Sequence, residues 1–189
     1  HTHPPRPANS HEHTPARRPD IKNDARAPTL SEGRVPEIHP AIAEPAGAVP
    51  GVKLLDVDPG FETNRTVITF VGEPDAVVEG AFQLVVAARK LIDMRSHQGA
   101  HGRMGAVDVC PFVPVAGVTM DDCVELAKKL GARVGEELSL PVFLYEYAAS
   151  RPDRRSLADI RQGEYEALQT KLQNPDFAPD FGPADFVPE

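Results

Sequence analysis

"NRTVITFVGEPDAVVEGAFQLVVAARKLIDM" (Asn64–Met94) changes its hydrophobic period partway along, and that change decides the fold class. Thr66–Val71 is rich in β-branched residues and reads as a strand. From Pro74 onward, Val77, Val78, Ala81, Leu84, Val85, Ala88, Leu91 and Ile92 recur at helical spacing. Pro74 suits a first helical position. Asp75 and Glu79 near the start, with Arg89 and Lys90 near the end, suit the helix dipole.

Before this unit, "GVKLLDVDPG" predicts a strand over Val52–Val57 closed by an Asp-Pro-Gly turn. After it comes a glycine-rich loop, "SHQGAHGRMG" (Ser96–Gly105), and then "AVDVCPFVPV", a buried strand that Pro111 and Pro114 place at a sheet edge or end early. "TMDDCVELAKKLGARVGEEL" opens on Thr119 and Asp122, a pair resembling a capping box, and carries the stripe Cys123, Ala127, Leu130, Val134. A further strand is predicted over Val142–Tyr145, short helices over Ser156–Arg161 and Glu164–Leu172, and an extended Pro- and Phe-rich end packed through its aromatics. In "SEGRVPEIHPAIAEPAGAV" (Ser31–Val49), Ile38, Ile42 and Ala46 keep helical spacing. Pro40 and Pro45 would each cost about 3 kcal/mol in a helix interior, so a broken or absent helix is expected. The order β-β-α-β-α-β implies an α/β fold of the α+β two-layer sandwich type, a mixed sheet with helices packed on one face.

The chain has 189 residues, enough for one domain with a real core. Its formal charge of −8 argues against nucleic acid or an anionic membrane as partner. No apolar run approaches a membrane span and no signal-peptide core is visible, so a cytoplasmic protein is expected. Residues 1–27 hold few large apolar side chains and are expected to form a disordered tail, with the folded unit over 28–189. The "HTH" and "HEH" triplets in that tail are read as polar tail rather than a metal site. Cys110 and Cys123, with no CxxC, are read as buried free thiols.

His97 and His101 have a zinc-helix spacing, but Gly99 between them and Gln98 in place of a glutamate oppose that reading. No metal is expected. The glycines match no phosphate-binding loop. What remains is a histidine on a glycine-shaped loop, able to exchange a proton near neutral pH. Asp56 or Asp58 would orient or charge it, and Arg103, Arg65 and Asn64 would hold a carboxylate. The competing reading is an exposed loop histidine.

"SEGR" (Ser31–Arg34), "LLDVDPG" (Leu54–Gly60), "TNRTVITFVGEPDAVVEGA" (Thr63–Ala81), "LIDMRSHQGAHGRMGAVDVCPFVPV" (Leu91–Val115), "GVTMDDC" (Gly117–Cys123), "RRSLADIRQGEYEAL" (Arg154–Leu168) and "PDFGPADFVP" (Pro179–Pro188) together resemble the N-terminal subdomain of glutamate formimidoyltransferases. In animals that subdomain belongs to formimidoyltransferase-cyclodeaminase. The resemblance implies transfer of a formimino group from N-formimino-L-glutamate to tetrahydrofolate as co-substrate, in histidine breakdown, at a cleft between two α/β subdomains. It assigns the catalytic histidine to His101; the chemistry of the step then suggests Asp58 as the partner that orients or charges the imidazole, with Asn64, Arg65 and Arg103 as substrate or folate contacts. The family loop has Glu and Pro where this chain has Ala100 and Gly102. Since only the first subdomain's blocks are present, the chain is expected to form one half of the cleft, and to self-associate or pair with a second subdomain. The alternative is a non-catalytic folate-binding remnant or interaction module.

Overall fold

The computed structural model describes residues 22–188, and the tail triplets at 1–3 and 11–13 lie outside them. Six strands form one sheet: β1 (Asn23–Arg26), β2 (Thr29–Leu30), β3 (Val52–Gly60), β4 (Arg65–Gly72), β5 (Val107–Val109) and β6 (Phe112–Ala116). Five α-helices accompany it: α1 (Ile38–Gly47), α2 (Pro74–Leu91), α3 (Met120–Leu138), α4 (Leu157–Arg161) and α5 (Glu164–Leu172). Every pairing is antiparallel, where a mixed sheet was expected. β1 and β2 together line one side of β4, with β3 on its other side and β5 and β6 beyond β1 and β2. Counting β1–β2 and β5–β6 as single interrupted strands, the order is that of a split β-α-β unit, two helices crossing over one sheet.

The core lies on one face. Ile68 and Phe70 of β4 are fully buried against Ile42 and Ala46 of α1 and against Val77, Ala81, Leu84 and Ala88 of α2. The period of two in β4 is strict, with 66, 68, 70 and 72 buried and the residues between them half-buried. α3 adds Leu126, Leu130 and Val134 to the same cluster. Both caps behave as their sequences predict. Pro74 opens α2, and Thr119 and Asp122 exchange their side-chain and backbone hydrogen bonds in a complete capping box.

Four expectations are corrected. The tail assigned to 1–27 contains β1. Asp24 and Arg26, both 0% exposed, make a bidentate pair (3.1 and 2.7 Å), and Val113 N–H donates to Asp24 at 3.1 Å. The Arg26 guanidinium also lies over the Phe112 ring. The burial of this pair leaves the Arg26 pKa lowered to about 10 and the Asp24 carboxyl raised, desolvation outweighing their attraction. α1 forms as a continuous helix. Pro40 falls in its first turn, where the N–H has no intrahelical acceptor, and Pro45 is carried by the burial of Ile42, Ala43 and Ala46. β3 runs on through Asp-Pro-Gly to Gly60; it is an edge strand, which tolerates Pro59. Val142–Tyr145 is no strand, because Val142 alone bridges to Phe181.

The last fifty residues pack by aromatics and ion pairs. Phe143 meets Phe177 (4.8 Å), Tyr165 meets Phe186 (5.3 Å), and Arg154 pairs with Asp180 (2.9 Å). Between this segment, α3 and β5–β6 lies a mostly apolar cavity of about 440 Å³, against which both free cysteines stand. Cys123 is buried and Cys110 half-buried rather than fully buried, and burial pushes the Cys110 thiol up to about 11.

Candidate active site

Three loops meet at one end of the sheet: 31–34 after β2, 61–64 between β3 and β4, and 97–106 between α2 and β5. Their approach is so close that two glycines are obligatory. A Cβ on Gly33 would stand 2.4 Å from the Gly60 carbonyl oxygen, and one on Gly99 would stand 2.4 Å from that of Thr63. The glycine at position 99 therefore serves chain-to-chain contact, two residues before His101.

Asn64 staples all three loops. It sits in the left-handed region (φ 50), a conformation asparagine tolerates. Its Oδ1 accepts from Gly33 N–H (3.0 Å) and its Nδ2 donates to the Gln98 carbonyl (2.9 Å). Ser31 completes the joint by donating to the Gly105 carbonyl (2.7 Å).

His97 is buried, with Nε2 2.9 Å from the Asn64 carbonyl and Nδ1 accepting from Arg103 Nε at 3.1 Å. Arginine only donates, so Nδ1 carries no proton and the ring proton sits on Nε2, donated to Asn64. Arg103 spends its remaining donors on the His97 carbonyl (3.1 Å), on Glu164 (3.0 Å) and twice on Glu166 (2.7 and 3.0 Å). Those hydrogen bonds raise the Arg103 pKa and lower that of Glu166.

His101 occupies a different environment. Its side chain is 23% exposed. Nε2 lies 3.5 Å from an Arg65 guanidinium nitrogen and 3.7 Å from an Asp108 carboxylate oxygen. Asp108, 1% exposed, accepts from Met104 N–H at 2.9 Å and from Arg161 of α4. Burial first and the Arg65 charge second lower the His101 pKa, with Asp108 opposing them. Burial and Arg65 thus favour the neutral imidazole, beside a carboxylate placed to stabilise its protonated form.

The five residues singled out in the sequence are divided by this geometry. His101 and Arg65 come together, and His101 is the one polar contact of the Arg65 side chain among the described residues. Asn64 and Arg103 adjoin the loop, but their polar atoms are engaged within the chain. Asp58 is exposed on β3, opposite Val67 in the register and on the same sheet face as Arg65, with no hydrogen bond or ion pair to His101. The carboxylate beside His101 is Asp108, which sequence reasoning missed along with Arg161. An acid within the otherwise apolar run "AVDVCPFVPV" was the available signal. Among the described residues no group of three or more His, Cys, Asp or Glu side chains is placed to hold a metal ion.

Comparison with known proteins gives a consistent result. Residues 25–189 match the family model described as "Formiminotransferase domain, N-terminal subdomain". The chain is 56% identical over 161 residues to formimidoyltransferase-cyclodeaminase of Rattus norvegicus, covering 85% of this chain and 30% of that protein. It is 45% identical over 155 residues to glutamate formimidoyltransferase of Streptococcus pyogenes serotype M1, covering 82% and 52%. With glutamate formimidoyltransferase of Thermoplasma acidophilum it shares 46% over 159 residues, covering 83% and 52%. The chain therefore spans about a third to a half of the length of these relatives.

Proposed function

This chain belongs to the family of formiminotransferase N-terminal subdomains, and on that premise we propose that its three-loop end forms one wall of a site transferring a formimino group from N-formimino-L-glutamate to tetrahydrofolate. The observation that carries the reading is the placement of a half-buried His101 between Arg65 (3.5 Å) and the buried Asp108 carboxylate (3.7 Å), where burial and the Arg65 charge lower its pKa.

His101 accepts the proton released as the folate N5 nitrogen bonds to the amidine carbon. Asp108 stabilises the imidazolium while the tetrahedral intermediate lasts. His101 then returns the proton to the glutamate nitrogen as its bond to that carbon breaks, leaving glutamate and 5-formiminotetrahydrofolate. Proton exchange of this kind contributes about 10²–10⁴-fold in rate. Arg65 binds a substrate carboxylate. The opposite wall comes from a second subdomain, in keeping with relatives of which the matched segment spans only 30% and 52%.

Holding two substrates in attack geometry needs both walls. The test is formimino transfer from N-formimino-L-glutamate to tetrahydrofolate by the chain, with and without the second half of the Thermoplasma relative. Transfer in either sample that falls at least about 10²-fold in His101→Ala supports the reading. Transfer unaffected by that substitution, or none in either sample, overturns it.

A further inference from the structure

The sequence suggested Arg103 as a substrate contact, yet its five N–H groups are fully used. Nε donates to His97 Nδ1, one terminal nitrogen to Glu164 and Glu166, and the other to Glu166 and the His97 carbonyl. Its side chain is 6% exposed, so a carboxylate arriving from solvent finds no unoccupied donor. What these bonds join is informative. One end of the cluster is His97, fixed to Asn64 and four residues before His101. The other end is the first turn of α5, where Gly163 and Glu164 both take left-handed conformations and turn the Glu164 carboxylate back under Gly102.

We propose that Arg103 is a positioning residue: it clasps the loop presenting His101 to α5 and makes no contact with substrate. A guanidinium this buried needs its anionic partners, and a planar fork meeting the Glu166 carboxylate twice is directional as well as strong. The two carboxylates are themselves half-exposed or more, so they are available to be removed without opening the core. His97 acts in the same unit, because its Nε2–H tautomer is the one that can accept from Arg103 and donate to Asn64 together. Displacement of the loop by about 1 Å would cost on the order of 10² in rate, which gives the clasp its consequence.

The catalytic consequence rests on the role proposed for His101, but the ordering of the loop does not, and the test separates them. In the full chain carrying Glu164→Gln and Glu166→Gln, amide hydrogen exchange over 97–105 should quicken about tenfold or more, while β4 and α2 amides stay protected. In Arg103→Met, the His97 ring nitrogens should lose the single-tautomer ¹⁵N pattern that the intact chain should give. Unchanged exchange over 97–105 in the double variant would overturn the proposal, as would a uniform rise across the fold. In any sample competent for transfer, the double variant should lower kcat and leave KM within about twofold. A kcat unchanged beside a loosened loop would overturn the catalytic part. Absence of transfer both by the unsubstituted chain and by its mixture with the second half of the Thermoplasma relative would count against the proposed function alone.

Discussion

The Nε2 of His101 stands 3.7 Å from the carboxylate of Asp108, an acid held from behind by Arg161 and by the Met104 amide. That separation is longer than a hydrogen bond, so the resting imidazole is not locked by the carboxylate. Protonation creates the ion pair. Asp108 is thus placed to favour the protonated imidazole over the neutral one, the state that the proposed transfer would form.

Asp108→Asn should therefore lower the His101 pKa further and slow transfer, about tenfold for each 1.4 kcal/mol of imidazolium stabilisation lost. It also leaves Arg161 without its anion, so the melting temperature should fall as well. Thermal denaturation and an NMR titration of the ring separate the two effects.

Arg65→Met removes the cation that helps to depress His101. The ring pKa should rise, and the acid limb of the pH–rate profile should move upward with it. If Arg65 binds a substrate carboxylate, KM for N-formimino-L-glutamate should rise about tenfold or more, as for a lost charged hydrogen bond. A profile that shifts downward would contradict the assignment.

Gly99→Ala would place a Cβ 2.4 Å from the Thr63 carbonyl oxygen and 2.9 Å from the Asn64 Cβ. Backbone cannot yield as a side-chain tip does, so the loop must move. The expected cost is about 1–3 kcal/mol in stability and on the order of 10² in transfer rate. Gly102→Ala meets only the end of the Glu164 side chain and should be far milder.

Arg26→Met leaves the Asp24 carboxylate buried without its partner, and urea denaturation at pH 7 should show a loss of about 3–5 kcal/mol. Burial already raises the Asp24 pKa, and losing Arg26 raises it further. The folded variant then binds a proton more readily than the unfolded chain, so its deficit should shrink as pH falls toward that pKa.

The same pair explains why part of the fold was hidden in the sequence. α2 and α3 were legible because their caps, dipole charges and apolar stripes are local. β1 was not: "NDAR" presents an acid and a base at its two buried positions, and only their mutual bonding makes burial tolerable. α1 was misread because Pro40 was counted as an interior residue when it occupies the first turn. Val142–Tyr145 has strand composition, but Phe181 offers it a single bridge. In the site, glycine spacing and family resemblance pointed to His101, and geometry brings Arg65 to it. Asp108 was concealed by its apolar neighbours, and the full engagement of Asn64 and Arg103 depends on contacts up to 63 residues away.

His101 as a neutral base at pH 7 is what the proposed transfer depends on, and an NMR titration of its imidazole in the intact chain reads this out. Burial and Arg65 together predict a midpoint below the 6.5 of a free imidazole. Between that midpoint and 6.5 the unfolded chain binds the proton more strongly, so His101 should also make stability fall as pH drops through this window. A midpoint at or above 6.5 would mean that Asp108 outweighs Arg65 and burial, leaving the ring partly charged before substrate arrives and contradicting the account.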